Sequence, residues 1–172
     1  MKEIGTINYY KNSKQAKLIM AGNFLFFAIL AVILIPLSGI TETNSAKWYQ
    51  FAISFICYII LHEVAHIAFI KYFSKDEFTI SLKFPTISAG SKALFSKRQF
   101  VIIALAPTVI LGTLSLILLL SFPEACSLLF CCILALNFAV SGGDYFQAAS
   151  ACKYPAGALF QDDGEMTVVY GE

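Results

Sequence analysis

The sequence I-L-H-E-V-A-H at residues 60–66 contains the pattern H-E-x-x-H within a long apolar segment. On a helix, residues four apart lie on one face, so His62 and His66 can both direct an imidazole at one metal ion. Glu63 lies beside that face, where its carboxylate could activate a water molecule. A catalytic zinc ion needs three protein ligands and an open fourth position. Because the chain has only two histidines, the third ligand must be another residue type.

The apolar surroundings of this pattern decide how it is interpreted. The same pattern occurs by chance in many soluble helices, where its charged side chains are simply solvated. Here it is preceded by F-A-I-S-F-I-C-Y-I-I-L and followed by I-A-F-I, which are almost entirely apolar. A carboxylate and two imidazoles inside a bilayer are costly and generally mark a functional site. The segment is therefore predicted to be a membrane helix that carries a metal site.

The composition of the whole chain indicates an integral membrane protein. Of its 172 residues, 58% are hydrophobic and 13% are charged, whereas a soluble domain has about 45–50% apolar and about 25% charged residues. The net charge of +1 and the lack of a basic patch argue against a nucleic-acid partner. The five cysteines show no C-x-x-C spacing, so we interpret them as small buried apolar residues.

The pattern along the chain predicts an all-α membrane protein with one domain covering residues 1–172. Four apolar runs are long enough to cross a bilayer and predict transmembrane helices at residues 18–40, 48–72, 99–121 and 124–149. The third of these helices should begin with a capping box formed by Ser96 and Gln99.

The remaining two segments are more polar. Residues 73–97 alternate apolar and polar side chains, which predicts a short β-hairpin at the membrane surface beside the site, or else a solvated loop. An exposed strand edge of such a hairpin could hold an extended peptide through backbone hydrogen bonds. Residues 150–172 form an acidic C-terminal tail, to which we assign no regular structure.

Asp144 is the second place where a charge enters an apolar span. The other acidic residues outside the H-E-x-x-H pattern lie beyond the predicted helices or at their ends. Because an unpaired carboxylate is rare inside a membrane, we expect Asp144 to be the third metal ligand. Asn137 lies two helical turns earlier on roughly the same face. It is a candidate for catalysis, but it could equally be a residue that hydrogen-bonds between helices.

The distribution of basic residues predicts the orientation of the chain. With four spans, eleven of the twelve lysines and arginines fall on the side that holds both termini and residues 73–97, and Lys47 alone falls on the other. The positive-inside rule then makes both termini and the hairpin cytoplasmic. The chain would be a multi-pass protein of an inner or plasma membrane. The helical rise places His62, His66 and Asp144 together in the cytoplasmic half of the bilayer.

The order of these features resembles the site-two protease class of intramembrane zinc metalloproteases. A membrane helix with H-E-x-x-H is followed by a β-rich segment, a further helix, and a helix with an asparagine ahead of a Gly/Asp turn. The chain looks particularly similar to a small zincin peptidase branch, over about residues 48–154. Site-two proteases usually have prolines after the asparagine and a glycine after the aspartate. Here Phe138 follows the asparagine, and Gly142 and Gly143 precede the aspartate.

The resemblance implies a function for the site. It implies His62, His66 and Asp144 as zinc ligands, Glu63 as the catalytic base, and Asn137 as a residue that holds the substrate or the oxyanion. The reaction would be hydrolysis of peptide bonds in or next to membrane-spanning segments on the cytoplasmic side. The substrate would be a membrane protein or a membrane-adjacent peptide, and it must be locally unwound because a helix hides its peptide bonds.

Two other classes of function remain open. One is a catalytically inactive zinc-binding membrane protein that binds transmembrane segments without cutting them, although the intact Glu63 argues against it. The other is a metal transporter, which would need polar residues spread along a path through the helices. The sequence shows such residues at one depth only, which favours the protease.

Overall fold

The computed structural model describes residues 1–8, 13–37, 48–83, 86–122 and 127–171. In these ranges the helices are α1 (Ser13–Leu37), α2 (Trp48–Phe73), α3 (Lys97–Ser121), α4 (Ser127–Val140) and α5 (Gly142–Cys152). The strands are β1 (Lys2–Ile7), β2 (Phe78–Lys83), β3 (Thr86–Ser96), β4 (Leu159–Asp162) and β5 (Thr167–Gly171).

In the described part of the chain, three apolar helical segments are long enough to cross a membrane, which indicates a membrane protein. They are Tyr49–Phe73, Lys97–Ser121 and Leu128–Cys152, while the apolar part of α1, Lys17–Ile33, is shorter. The second and third predicted helices agree with α2 and α3 to within two residues at each end. Their lengths follow from the apolar runs, because about 20 apolar residues span the hydrocarbon core.

The start of α3 has the capping box expected from the sequence. The backbone N–H of Gln99 donates to Ser96 Oγ at 3.4 Å, and the backbone N–H of Ser96 donates to Gln99 Oε1 at 2.9 Å. These two bonds satisfy donors that would otherwise be left open at the helix N-terminus. The predicted box is therefore confirmed.

The first and fourth predicted helices differ from the observed elements. α1 begins five residues earlier than expected, and the expected helix end at 38–40 lies outside the described residues, as does the start of the fourth helix at 124–126. The predicted helix 124–149 is interrupted at Ser141, between α4 and α5. Ser141 Oγ donates to the backbone carbonyl of Asn137 at 2.8 Å, a contact that bends helices. Asp144 consequently lies in the first turn of a separate helix.

A five-stranded antiparallel sheet accompanies the helices, with strand order β1-β5-β4-β3-β2. Strands β2 and β3, which fall within residues 73–97, pair from Phe78 opposite Ser91 to Lys83 opposite Thr86. The prediction of an all-α protein is thus only partly right, because the mostly helical chain also contains this sheet. Strands β4 and β5 come from the C-terminal tail, to which we assigned no regular structure, and β1 precedes the first predicted helix.

The sheet packs against the ends of the helices around the H-E-x-x-H segment. Phe100 of α3 stacks on Phe160 of β4 with ring centroids 4.9 Å apart. This contact belongs to a buried core that joins β1, β3, β4 and β5 to α2, α3 and α5, formed by Ile7, Ile70, Ala93, Phe95, Phe100, Ile103, Ala151, Ala158, Phe160 and Val169. The N-terminal strand, the β2–β3 hairpin and the C-terminal strands therefore lie at one end of the helices.

The turn between β4 and β5 packs directly on the β2–β3 hairpin. A Cβ atom at Gly90 would lie 2.2 Å from the backbone nitrogen of Gly164, so only glycine allows this approach. The hydroxyls of Thr79 and Ser88 donate to backbone carbonyls of the turn, and Ser81 donates to the Glu165 carboxylate. These contacts hold the turn at the edge of the cavity described next.

Candidate metal centre

Two helices bring three potential metal ligands together. His62 and His66 are one turn apart on α2 and are only 5% and 8% exposed, and Asp144 is in the first turn of α5. His62 Nε2 lies 3.1 Å from Asp144 Oδ2, and His66 Nε2 lies 3.4 Å from Asp144 Oδ1. Among the described residues, these three form a group whose ligand atoms all lie within 4.8 Å of one another.

The spacing of these atoms fits a zinc ion. Zinc bonds of about 2.0–2.1 Å in a tetrahedral arrangement place neighbouring ligand atoms about 3.3 Å apart. The contacts from His62 Nε2 and His66 Nε2 to the carboxylate, 3.1 and 3.4 Å, run to its two different oxygens and are close to this value. Two imidazoles and one carboxylate also leave the open fourth position that a catalytic site requires.

Glu63 lies next to this group and has an unused oxygen. Its Oε2 atom is buried and has no hydrogen-bond partner among the described residues. Ala89 of β3 lines the same cavity as Glu63. A buried carboxylate oxygen without a partner is costly. The orphaned oxygen is therefore suited to accept a proton from a water molecule in the site.

A cavity of about 360 Å³ connects these side chains to the sheet. His62, Glu63, His66 and Asp144 form part of its lining, and residues 87–91 of β3 form another wall. The volume falls at the lower end of the range for ligand sites in proteins. The other polar groups that line the cavity come from α1, α5 and the C-terminal strands, and they are Asn23, Gln147, Asp162, Glu165 and Thr167.

Asp162 is a partly buried acidic side chain on the sheet side of the cavity. Burial raises the pKa of Asp162 to about 6, although the backbone N–H of Gly164, which donates to its Oδ1 at 3.0 Å, acts in the opposite direction. The wall that the C-terminal strands contribute therefore carries a carboxyl group that titrates near neutral pH.

Asn137 is completely buried between helices and is not among the residues that line the cavity. Its Nδ2 donates to the backbone carbonyl of Thr108 at 3.0 Å, and its Oδ1 accepts from the hydroxyl of Tyr58 at 3.0 Å. The Tyr58 oxygen is also 3.3 Å from His62 Nδ1. Asn137 is thus linked to His62 through the Tyr58 hydroxyl. The role of Asn137 in holding the substrate or the oxyanion stays a prediction.

Sequence reasoning missed several residues around the site. Tyr58 precedes His62 by one helical turn, so the helical period itself places it beside the histidine. Asn23 is a polar residue in the apolar run of α1, which is a recognisable signal in a membrane segment. Asp162 gave no such signal, because its position depends on strand pairing at the C-terminus.

Comparison with known proteins also points to zinc. A family model described as "putative zincin peptidase" matches residues 55–159, which is more than half of the chain and includes all five candidate site residues. Neither the curated proteins nor the solved structures gave a match. The chain belongs to this zincin peptidase family, whose description implies a zinc-dependent peptidase.

Proposed function

We propose that the protein is an intramembrane zinc metalloprotease that hydrolyses peptide bonds in or next to membrane-spanning segments. The observation that carries this proposal is the meeting of His62 and His66 with Asp144, on two apolar helices, beside the orphaned oxygen of Glu63. Ionisable residues in membrane segments are retained where they serve a function. A cavity at the same place gives a peptide access to these groups.

Different residues of the site have different roles in the proposed reaction. The two histidines and Asp144 would hold the zinc ion, which when bound supplies a Lewis acid for the scissile carbonyl. Glu63 accepts a proton from the attacking water as the new C–O bond forms. It then transfers that proton to the amine nitrogen as the C–N bond breaks.

The cavity wall formed by β3 suits an extended substrate. Residues 87–91 of this strand line the cavity, so an unwound peptide inside it would lie alongside strand backbone. Extended backbone is what the reaction requires, because a helical segment keeps its peptide bonds in internal hydrogen bonds. Asn23 and Gln147 offer amide groups to the same peptide.

The pairing of strands supports four membrane crossings rather than three. β1 pairs with β5, and β2, β3 and β4 belong to the same sheet. The chain must therefore cross the membrane an even number of times between β1 and β2, which requires α1 to cross together with α2. The excess of basic residues on the sheet side makes that side cytoplasmic by the positive-inside rule.

The substitution Glu63→Gln tests the proposal in the purified full chain, reconstituted with zinc in liposomes. We expect the parent to cleave members of a library of single-span peptides and Glu63→Gln to lose about 10²–10⁴ in rate, because a positioned base is removed. Zinc content should not change, since Glu63 is not a ligand. Glu77→Gln is the matched control, because Glu77 is exposed and does not line the cavity.

The same experiment separates the protease from the alternative of an inactive zinc protein that binds membrane segments. That alternative predicts that the parent cleaves no library member and binds some of them equally well with and without Glu63. Such a result would contradict the proposed protease and support the zinc-binding protein that binds membrane segments.

A further inference from the structure

We propose that helix α3 sets the orientation of both histidines through two of its backbone carbonyls, those of Ile103 and Thr108. This inference rests on the zinc site proposed above. It makes Pro107, Tyr58 and Asn137 positioning residues, because they act on the metal through the imidazole rings.

The first carbonyl acts on His66 directly. In a regular helix the N–H of residue 107 would donate to the carbonyl of Ile103, but Pro107 has no N–H, and its ring pushes that carbonyl out of line. His66 Nδ1 lies 2.9 Å from the Ile103 oxygen. A carbonyl can only accept, so the proton of this bond is on Nδ1. The other ring nitrogen, Nε2, is then the one available to a metal.

The second carbonyl acts on His62 through two side chains. The Thr108 oxygen can only accept, so the Asn137 atom 3.0 Å away must be the amide nitrogen. The oxygen of the same amide then faces Tyr58, whose hydroxyl donates its proton to it at 3.0 Å. Because the Tyr58 hydroxyl donates its hydrogen to Asn137, its oxygen can act only as an acceptor toward His62.

His62 completes this second path. Its Nδ1 lies 3.3 Å from the Tyr58 oxygen and would supply the hydrogen of that contact when Nε2 binds the metal. Gly112 of α3 allows the Asn137 amide to lie this close, because a Cβ there would be 2.7 Å from the amide nitrogen. His62, like His66, would then bind the metal through Nε2, the nitrogen that lies 3.1 Å from Asp144 Oδ2.

Both paths give the same result at the metal site. The two Nε2 atoms are those that face the two oxygens of Asp144. Hydrogen bonds from the far nitrogen of a metal-binding histidine fix its tautomer and ring orientation, and losing them typically costs about 10–100-fold in metal affinity. The buried position of Asn137, away from the cavity lining, is explained by this role.

The Tyr58→Phe substitution tests the path to His62. Removing the hydroxyl leaves Nδ1 of His62 without its acceptor, so zinc affinity, measured by competition with a chelator, should fall about 10–100-fold. The visible spectrum of bound Co²⁺ should also change, because one imidazole is no longer held in place. Tyr72→Phe is the matched control: it makes the same change on the same helix, at an exposed residue.

The Pro107→Ala substitution tests the path to His66 and gives two readouts of opposite sign. The new N–H should bond to the Ile103 carbonyl and compete with His66, so zinc affinity should fall by about 10-fold or more. The helix should become more regular, so the melting temperature of the metal-free protein should rise. Pro155→Ala, in the exposed turn after α5, is the control for replacing a proline.

Each result decides one path. Zinc affinity that is equal in Tyr58→Phe and Tyr72→Phe would overturn the path to His62. Equal affinity in Pro107→Ala and Pro155→Ala would overturn the path to His66, and so would a loss of affinity accompanied by a lower melting temperature, which would signal general damage. A Pro107→Ala protein that does not fold would likewise overturn the path to His66, because the added N–H is expected to make the helix more regular. Zinc affinity is measured without substrate. If both substitutions lower zinc affinity as expected but the parent cuts no peptide, the result contradicts only the proposed protease.

Discussion

At the scale of single residues, Asp162 makes the free energy of unfolding depend on pH. Its pKa is raised by burial to about 6, whereas an aspartate in an unfolded chain titrates near about 3.9. Between these values the folded state binds more protons than the unfolded state. The free energy of unfolding therefore decreases as pH rises from about 4 to about 6, and the contribution stays lost above that range.

The Asp162→Asn substitution should remove this pH dependence, because an amide does not ionise. We expect the melting temperature of the parent to fall relative to Asp162→Asn as pH is raised from 4 to 7. Metal-free protein is the proper sample, because a bound cation near the cavity would favour the ionised carboxylate. Asp76→Asn, at an exposed acidic residue, is the control. A difference between parent and Asp162→Asn that stays constant over this pH range would show that the pKa of Asp162 is not raised in the folded state.

The cost of burying charge determines which residues of the site can be predicted from the sequence. Glu63, His66 and Asp144 stand out because charged or ionisable groups are rare in apolar spans. Tyr58 and Pro107 do not stand out, since tyrosine and proline are both common in membrane helices. The helical period places Tyr58 one turn from His62. The amide and the backbone carbonyls that complete both paths belong to other helices, and no local pattern encodes these partners.

At the scale of elements, the contact between Gly90 and the β4–β5 turn should be sensitive to one added methyl group. The Gly90→Ala side chain would meet backbone atoms of Asp162, Asp163 and Gly164, none of which can rotate away. Overpacking of this kind costs about 1–3 kcal/mol. We expect a lower melting temperature and faster proteolysis within the turn.

Gly157→Ala provides the matched control, because a Cβ there would contact nothing within 4 Å. It should leave the melting temperature close to that of the parent. If Gly90→Ala and Gly157→Ala melted together, the turn would not be packed on the hairpin as described.

The elements differ in how far the sequence predicts them. α2 and α3 follow from uninterrupted apolar runs whose length the bilayer imposes. The break at Ser141 does not interrupt the apolar run, so it depends on a hydroxyl-to-carbonyl hydrogen bond that hydropathy does not register. β5 has the β-branched and aromatic residues of a strand, T-V-V-Y at 167–170. The strand is short and follows an acidic segment, so the local sequence does not predict it. Its formation depends on pairing with β1 and β4.

At the scale of the whole molecule, the sheet constrains the topology. Because β1 pairs with β5, the two ends of the described chain lie on one side of the helices. Reporter fusions at Lys92, in β3, and at Lys47, which lies outside the described residues, should therefore report opposite faces of the membrane. A fusion after residue 171 should report the same face as Lys92. Finding the Lys47 and Lys92 reporters on one face would contradict the four crossings.

The central claim is that α2 and α5 together build one zinc site, and the zinc content of Asp144→Asn tests it most directly. The parent, purified in full length, should hold about one zinc ion per chain, as a three-ligand site predicts. Asp144→Asn should keep its helical content but lose most of that zinc, since an amide oxygen replaces the charged ligand between His62 and His66. Asp76→Asn, which changes an exposed residue, should retain it. If Asp144→Asn instead binds zinc as tightly as the parent, Asp144 is not a ligand and the account of the site is wrong.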